Sequence, residues 1–196
     1  MGPNLIPAAE FNQPELFSSD EFEAGTELVA ALVEPKPDTA RRTGRTLERR
    51  RGLVKAIIER VVKQEGHSLL GWRDVPVSPD AIGVLAAKVQ PVIRQFFVAR
   101  TTDKEEQHRF ELQLFVIRKQ IERAVDAAGM EEREDFYISS LSSNKLVYKG
   151  LIMTDQLEHF YHDISDESMV TSFALVHSRF STNTLGSWKL AHPYRY

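Results

Sequence analysis

Two long stretches of this sequence repeat apolar residues at intervals of three and four, the pattern of an amphipathic helix. The first runs from Thr46 to Glu65 and is followed by Gly66, a residue that favours the turn at a helix C-terminus. The second begins near Phe110 and ends near Gly129. Each apolar stripe predicts an amphipathic helix with one buried face. The stripes are Leu47, Val54, Ile57, Ile58 and Val61, and then Phe110, Leu114, Ile117, Ile121 and Ala124.

Short runs of β-branched and aromatic residues alternate with these helices and predict strands. One follows the first helix at once and ends at Pro76, and another lies near Gln95–Ala99. We predict a hairpin over residues 135–151, a helix that begins at Thr154 with Asp155 in its first turn, and a strand over residues 172–177. Helices and strands in this order predict an α/β (α+β) fold.

The first 45 residues are weakly patterned and are interrupted by prolines. The run from Ser18 to Glu21 predicts the start of one short helix that passes through Leu28 to Leu32. We therefore predict that residues 1–45 form a poorly patterned, disorder-prone leader that contributes little to the core. Residues 46–196 are predicted to form the folded unit.

Composition excludes several classes of site. The chain has 196 residues and no cysteine, which excludes disulfides, thiolate zinc sites and a cysteine nucleophile. A net charge of −3 with 42% hydrophobic residues is typical of a globular protein. No apolar run approaches the roughly 20 residues of a membrane helix, and no signal-like stretch opens the chain. We expect a cytoplasmic protein that binds no membrane.

Three blocks of sequence resemble those of one enzyme family. The first is Gly71-Trp72-Arg73-Asp74-Val75-Pro76, and the second is the run over residues 135–142 followed by Tyr148-Lys149-Gly150-Leu151. The third and longest is His177-Ser178-Arg179-Phe180-Ser181-Thr182-Asn183-Thr184, followed by Trp188, Leu190, Ala191 and the residues 192–196. In this order and spacing, over residues 48–196, they resemble the class II (N-terminal-nucleophile) glutamine amidotransferase domain of the glutamate synthases.

The resemblance implies a fold, a substrate and a pocket. The fold would be part of a four-layer αββα N-terminal-nucleophile hydrolase, and residues 46–196 would be a partial glutamine amidotransferase type 2 domain. Glutamine would be the substrate, with ammonia passed on for glutamate synthesis from 2-oxoglutarate. Arg179 matches the arginine that pairs with the α-carboxylate of glutamine, and Thr182 matches a hydroxyl that lines the same pocket. FMN and an iron–sulfur cluster are implied for the full-length family enzyme, with no cofactor in this chain.

Two departures from the family pattern affect catalysis. The family nucleophile is an N-terminal cysteine, whereas this chain begins Met1-Gly2 and contains no cysteine. The family motif also continues into a His-Asn-Gly element that forms the oxyanion hole, and the present sequence stops before it at Tyr196. We therefore predict no catalytic residue in this chain, no activity from the chain alone, and the remainder of a glutamate synthase chain as its partner.

Two other functions stay open on the sequence. The chain could be a non-catalytic binding or regulatory module that keeps the fold, or a protein that interacts through the basic stretch at residues 41–51. Against the latter, the chain is net acidic and no aromatic residues alternate with these arginines, so we expect no nucleic acid partner. His159 and His162 lack the spacing of a helical zinc motif, and we predict no metal site.

Overall fold

A computed structural model describes residues 30–34, 44–100, 107–129, 136–178 and 186–192, with only the backbone for residues 30–34 and 44–50. The strands are β1 (Ala30–Glu34), β2 (Ser68–Asp74), β3 (Val92–Ala99) and β4 (Tyr137–Leu141). The helices are α1 (Gly44–Gln64), α2 (Val84–Lys88), α3 (Gln107–Ala127) and α4 (Leu157–Phe160). Short 3-10 helices span Pro79–Ala81, Thr154–Gln156 and His162–Ser165.

The four strands form one sheet in the order β2-β3-β1-β4, and every neighbouring pair is antiparallel. The register places Trp72 opposite Phe96, and Ala30 between Phe96 on one side and Leu141 on the other. Because β1 has a partner on each side, a segment from the first 45 residues lies inside the sheet.

One face of the sheet is covered by the two long helices. Their apolar stripes meet Phe96 and Val98 of β3 and Ile138 and Leu141 of β4 in a single buried cluster. Gly66 and Gly129 follow the helix ends with φ of 83° and 65°, the left-handed conformation that ends a helix. The buried members of this cluster are Val54, Ile57, Ile58, Val61, Val62, Phe96, Val98, Phe110, Leu114, Ile117, Ile121, Val125, Phe136, Ile138 and Leu141.

A second apolar cluster is built around Ile93, whose position in β3 puts its side chain on the face opposite to Phe96. It joins the segment after β2 to the chain beyond β4. Phe160, Tyr161 and Trp188 supply its large rings, and each is at most 5% exposed. The remaining buried members are Val75 and Ile82. This cluster holds residues 148–164 and 188 against the sheet.

The mixed helix and sheet class agrees with the sequence prediction, as do both long helices and the strands β2 and β3. The short helix predicted through Leu28 to Leu32 is wrong where the structure describes it, because Ala30–Glu34 is a strand. Part of the predicted leader, residues 30–34, is therefore a strand of the sheet. The predicted small contribution of the leader to the core stays a prediction. The boundary between residues 45 and 46 stays a prediction.

The hairpin predicted over residues 135–151 is only half present. Its first arm is β4, but residues 145–149 form no strand, and β4 pairs with β1 instead. The amide of Val147 donates to the hydroxyl of Ser140 at 3.3 Å, a side-chain bond in place of a ladder bond. The turn between them is held by Glu111, whose carboxylate accepts from Ser142 and Ser143.

The strand predicted over residues 172–177 is also wrong, because this segment belongs to no strand. Phe173 and Leu175 are 76% and 80% exposed, and the backbone of Phe173 is bonded locally to the hydroxyl of Thr171. The helix predicted to begin at Thr154 is instead a 3-10 turn followed by the four residues of α4.

Candidate functional site

The two residues that the sequence assigns to substrate binding, Arg179 and Thr182, lie outside the described residues. The described parts of the same motif are the segment that ends at Ser178 and the segment 186–192. The rings of His177 and His192 lie 4.7 Å apart between centroids. The residues before and after the motif's central part are therefore close to each other in space.

Trp188 anchors the second of these segments. Its carbonyl oxygen accepts from the Tyr137 hydroxyl at 3.1 Å, and its indole nitrogen donates to the carbonyl oxygen of Ala86 at 3.1 Å. A side chain at Gly150 would overlap the indole ring, so the glycine allows a close approach. The tryptophan of the motif is thus fixed by β4, by α2 and by the loop that contains Gly150.

Lys149, next to this glycine, is a buried cation with an exposure of 5%. Its ammonium group donates to the carbonyl oxygen of Lys189 at 2.9 Å and lies 4.8 Å from the centre of the Tyr137 ring. Tyr161 donates from its hydroxyl to the Lys149 carbonyl oxygen at 2.8 Å. These bonds tie the Tyr148-Lys149-Gly150-Leu151 block to the segment 186–192, although the sequence separates them by about forty residues.

A buried ion pair joins the first resemblance block to the chain after α4. Arg73 donates to both carboxylate oxygens of Asp163 and also to the side-chain oxygen of Gln95 at 2.8 Å. The Tyr148 hydroxyl donates to the same carboxylate at 2.6 Å. The side chains of Arg73 and Asp163 are only 14% and 9% exposed, so solvent screens this pair weakly. Asp163 thus accepts hydrogen bonds from a residue of the first resemblance block and from a residue of the second.

Two tyrosine hydroxyls next to this pair are held in the neutral form. Burial, followed by the charge of Asp163, raises the pKa of Tyr148 above its ordinary value of 10.0. Burial also raises the pKa of Tyr161 well above the same value. At neutral pH both side chains are hydrogen-bond donors with no role as a base, which suits a supporting position better than a catalytic one.

Sequence reasoning identified Arg73 and Tyr148 only as parts of motifs, and it did not identify Asp163 as the partner of either. Arg73 and Asp163 are ninety positions apart, and no local pattern links them. The available signal was that a charged residue beside apolar neighbours requires a partner when it is buried. Several acids follow α4, and nothing in the sequence distinguishes Asp163 from them.

The described residues contain no group of three or more His, Cys, Asp or Glu side chains that could hold a metal ion. His162 bonds to the hydroxyl of Ser78 at 2.7 Å, and His159 lies on the surface near Glu158. Iron–sulfur clusters are held by cysteine thiolates, and a sequence without cysteine does not fit one. Among the described helices, none has the length and apolar character required to cross a membrane.

Comparison with known proteins assigns the chain to a family. The family of glutamine amidotransferases class-II matches residues 41–196, which is most of the sequence. The chain belongs to this family. The match contains all three resemblance blocks, together with the residues that fix them in the fold: Arg73, Lys149 and Trp188.

Several relatives of this chain are glutamate synthases. The chain is 47% identical over 149 residues to the glutamate synthase [NADPH] large chain of Bacillus subtilis, covering 76% of this chain and 10% of the relative. It is 39% identical over 142 residues to the ferredoxin-dependent glutamate synthase of Pyropia yezoensis, covering 72% of this chain and 9% of the relative. The chain therefore spans about a tenth of the length of these relatives.

Proposed function

We propose that this chain supplies the part of a glutamate-synthase-type glutaminase domain that holds the amino-acid end of glutamine. In this proposal the guanidinium of Arg179 pairs with the α-carboxylate, since its planar fork can donate two parallel hydrogen bonds. Thr182 lines the same pocket. The observation that carries the proposal is the unbroken motif of residues 177–184 inside a family match of residues 41–196.

The anchored segment after the motif supports this assignment. A substrate arginine is effective only when its backbone is held in one position, because a loose loop loses binding free energy to ordering. Trp188 and Lys189 are held by Tyr137, Lys149 and Ala86, and Gly150 gives the indole its space. Segment 186–192 would therefore act as a fixed wall beside the pocket.

The chain alone is proposed to be inactive. The resemblance implies a cysteine thiol as nucleophile, and these 196 residues contain none. Ser142 and Ser143 do not replace it, because their hydroxyls donate to the carboxylate of Glu111. A thiol from another part of a longer polypeptide would have to complete the site.

The same proposal covers fold and context. The described sheet, with α1 and α3 on one face, would be one helix–sheet half of a four-layer αββα fold, in a domain that combines residues 46–196 with the strand Ala30–Glu34. Ammonia would pass to other parts of a glutamate synthase, its partner, where FMN and an iron–sulfur cluster would serve glutamate synthesis from 2-oxoglutarate. We propose a cytoplasmic location and neither nucleic acid nor membrane as a partner.

A non-catalytic binding or regulatory module is the second candidate. The observation that favours it is the combination of a retained substrate motif with no cysteine in the sequence. Such a module would bind glutamine reversibly, and the glutamine-bound form would carry the regulatory signal. Both candidates predict glutamine binding, and they differ in whether a thiol-bearing segment supplied in trans restores hydrolysis.

Calorimetric titration with glutamine tests the glutamine binding that both candidate functions predict. We expect Arg179→Ala to weaken binding at least about tenfold, because a charge-assisted bidentate pair is lost. Arg123→Ala is the matched control, since Arg123 is an exposed arginine on α3 away from the motif. Equal affinities of the original chain and both variants would contradict the assignment of Arg179.

Ammonia release from glutamine tests the chemistry. The original chain, Arg179→Ala and a boiled sample should give the same background rate, because no thiol is present. Turnover that Arg179→Ala abolishes would mean that another nucleophile acts in this chain, and the proposed inactivity would be wrong.

A further inference from the structure

A cleft of about 340 Å³ lies between α1, the end of β2 and the start of β3. It is far from the proposed glutamine motif in sequence, and none of its residues takes part in the network around Trp188. The size is that of a small-molecule site. The lining residues are Arg51, Gly52, Lys55, Asp74, Val92 and Arg94.

The lining carries three cations and one carboxylate, a net charge of +2. Arg94 donates from Nε to Asp74 at 2.5 Å, which fixes the guanidinium at the wall of the cleft. The charged groups of Arg94 and Lys55 each lie 5.3 Å from the centre of the Trp72 ring. Both cations therefore lie within cation–π distance of the same indole.

The helix wall of the cleft is built against helix stability. Arg51 and Lys55 are four residues apart on one face of α1, a like-charge spacing that destabilises a helix. Gly52 lies inside the same helix, where glycine is less favourable than alanine, and a Cβ at this position would have nothing within 4 Å. Packing inside the protein therefore does not require the glycine, and its missing side chain leaves open space beside the two cations.

We propose that this cleft binds a small phosphate-bearing molecule. An arginine fork and a lysine point charge are the side chains that bind phosphate oxygens, and three cations around one cleft match a dianion. Asp74, with a side chain 72% exposed, offers an acceptor for a hydroxyl of the ligand's organic part. The same carboxylate repels an extended polyanion such as a nucleic acid.

Calorimetric titration of the 196-residue chain at about 0.05 M salt tests the proposal, with inorganic phosphate and glycerol phosphate as separate probes. We expect Arg94→Gln and Lys55→Gln each to weaken binding about tenfold or more. Lys63→Gln is the matched control, because Lys63 is an exposed lysine of the same helix outside the cleft. Tighter binding of glycerol phosphate would identify an ester as the ligand, and equal binding would identify the free anion.

Two substitutions at Gly52 separate binding from folding. Glu and Gln have almost the same size and both favour a helix over glycine, so both variants should fold at least as well as the original chain. Gly52→Glu should abolish phosphate binding, because its carboxylate lies beside Lys55 in the cleft, whereas Gly52→Gln should retain more of it. Asp74→Asn keeps an oxygen acceptor for Arg94 and removes the one negative charge, so it should strengthen the binding of inorganic phosphate severalfold.

Three results would overturn the proposal. The first is no binding of either probe to the original chain, and the second is a loss with Lys63→Gln as large as the loss with Lys55→Gln. The third is binding of a long polyanion alone, which would make α1 a general basic surface. Glutamine affinity, measured in parallel, should be the same in all cleft variants.

Discussion

Tyr148 and Tyr161 make this protein sensitive to alkali. Their hydroxyls donate to Asp163 at 2.6 Å and to the Lys149 carbonyl oxygen at 2.8 Å. Burial is the largest cause that raises both pKa values above 10.0. In the unfolded chain both hydroxyls ionise near pH 10, whereas in the folded chain they stay protonated. The stabilisation from the neutral hydroxyls is thus complete below about pH 10 and is lost as the pH rises above it.

The size of this effect follows from proton linkage. At about pH 11 ionisation has stabilised the unfolded chain by about 1.4 kcal/mol for each tyrosine, or about 3 kcal/mol for the two. A domain of this size has a total free energy of unfolding of about 5–15 kcal/mol, so the loss is a large part of it. The coulombic contribution of Arg73 lowers the pKa of Tyr148, but burial and Asp163 outweigh it.

Tyr148→Phe isolates one of the two contributions. At about pH 8 the variant should be less stable by about 1–2 kcal/mol, because the hydrogen bond to Asp163 is lost. The phenylalanine does not ionise, so the deficit should shrink by about 1.4 kcal/mol on going to about pH 11. Urea unfolding at a series of pH values measures both quantities, and ionisation of the lysines cancels because both proteins contain them.

Val61→Ala is the matched control for this series. Val61 is a buried residue of α1 with an exposure of 2%, and its truncation removes no ionisable group. Its deficit in free energy of unfolding should stay constant across the pH range. If the deficit of Tyr148→Phe were equally constant, Tyr148 would ionise normally in the folded protein, and the linkage argument would be refuted.

Four other substitutions test separate parts of the fold. Arg73→Met should lower the free energy of unfolding by about 3–5 kcal/mol in urea, because Asp163 stays buried without its cation; a loss below 1 kcal/mol would contradict the pair. Ile58→Ala should cost about 2–5 kcal/mol in the same assay, since Ile58 is 0% exposed, and an unchanged midpoint would mean that α1 is not packed on the sheet. Gly66→Ala should destabilise the fold by about 1–2 kcal/mol, because alanine is strained at φ 83°, and should lower the melting temperature. Gly52→Ala should stabilise the fold by about 0.5–1 kcal/mol, because alanine favours a helix over glycine, and should raise the melting temperature. Shifts of the same sign in the two variants would contradict this reasoning.

Both long helices could be predicted from the sequence because their signals are local. The apolar stripe, the C-terminal glycine and the strand that follows all lie within some thirty residues of each other. The helices observed, Gly44–Gln64 and Gln107–Ala127, agree with the predicted ones within three residues at the ends that were named. The resemblance blocks are local as well, so the family could also be identified.

Strand pairing could not be predicted in the same way, because it depends on residues far apart in the chain. The alternation over residues 136–149 indicated a hairpin, yet β4 pairs with β1, about a hundred positions earlier. Residues 172–177 alternate like a strand, but no strand of the described chain pairs with them. The partner of Arg73 was missed for the same reason, because only the folded chain brings the acid that neutralises it close to Arg73.

β2 and β4 each contain a β-bulge, and these bulges show why the alternation of apolar residues is an incomplete guide to which side chains are buried. Leu69 and Trp72 are three positions apart, as are Ile138 and Leu141, yet all four contact the same helix-side cluster. In a regular strand such pairs point to opposite faces. The register shifts by one residue between Leu69 and Gly71, and again in β4 opposite the step from Ala31 to Leu32.

Each shift inserts one extra residue, so the side chains beyond it change face. The bulge in β4 returns Leu141 to the core and turns Ser140 towards the other side, where its hydroxyl accepts from the amide of Val147. Val147 is followed by Tyr148, Lys149 and Gly150. Tyr148 donates to Asp163, Lys149 donates to Lys189, and Gly150 leaves space for Trp188. The arrangement beside the proposed glutamine pocket thus depends on an irregularity that a strict period of two excludes.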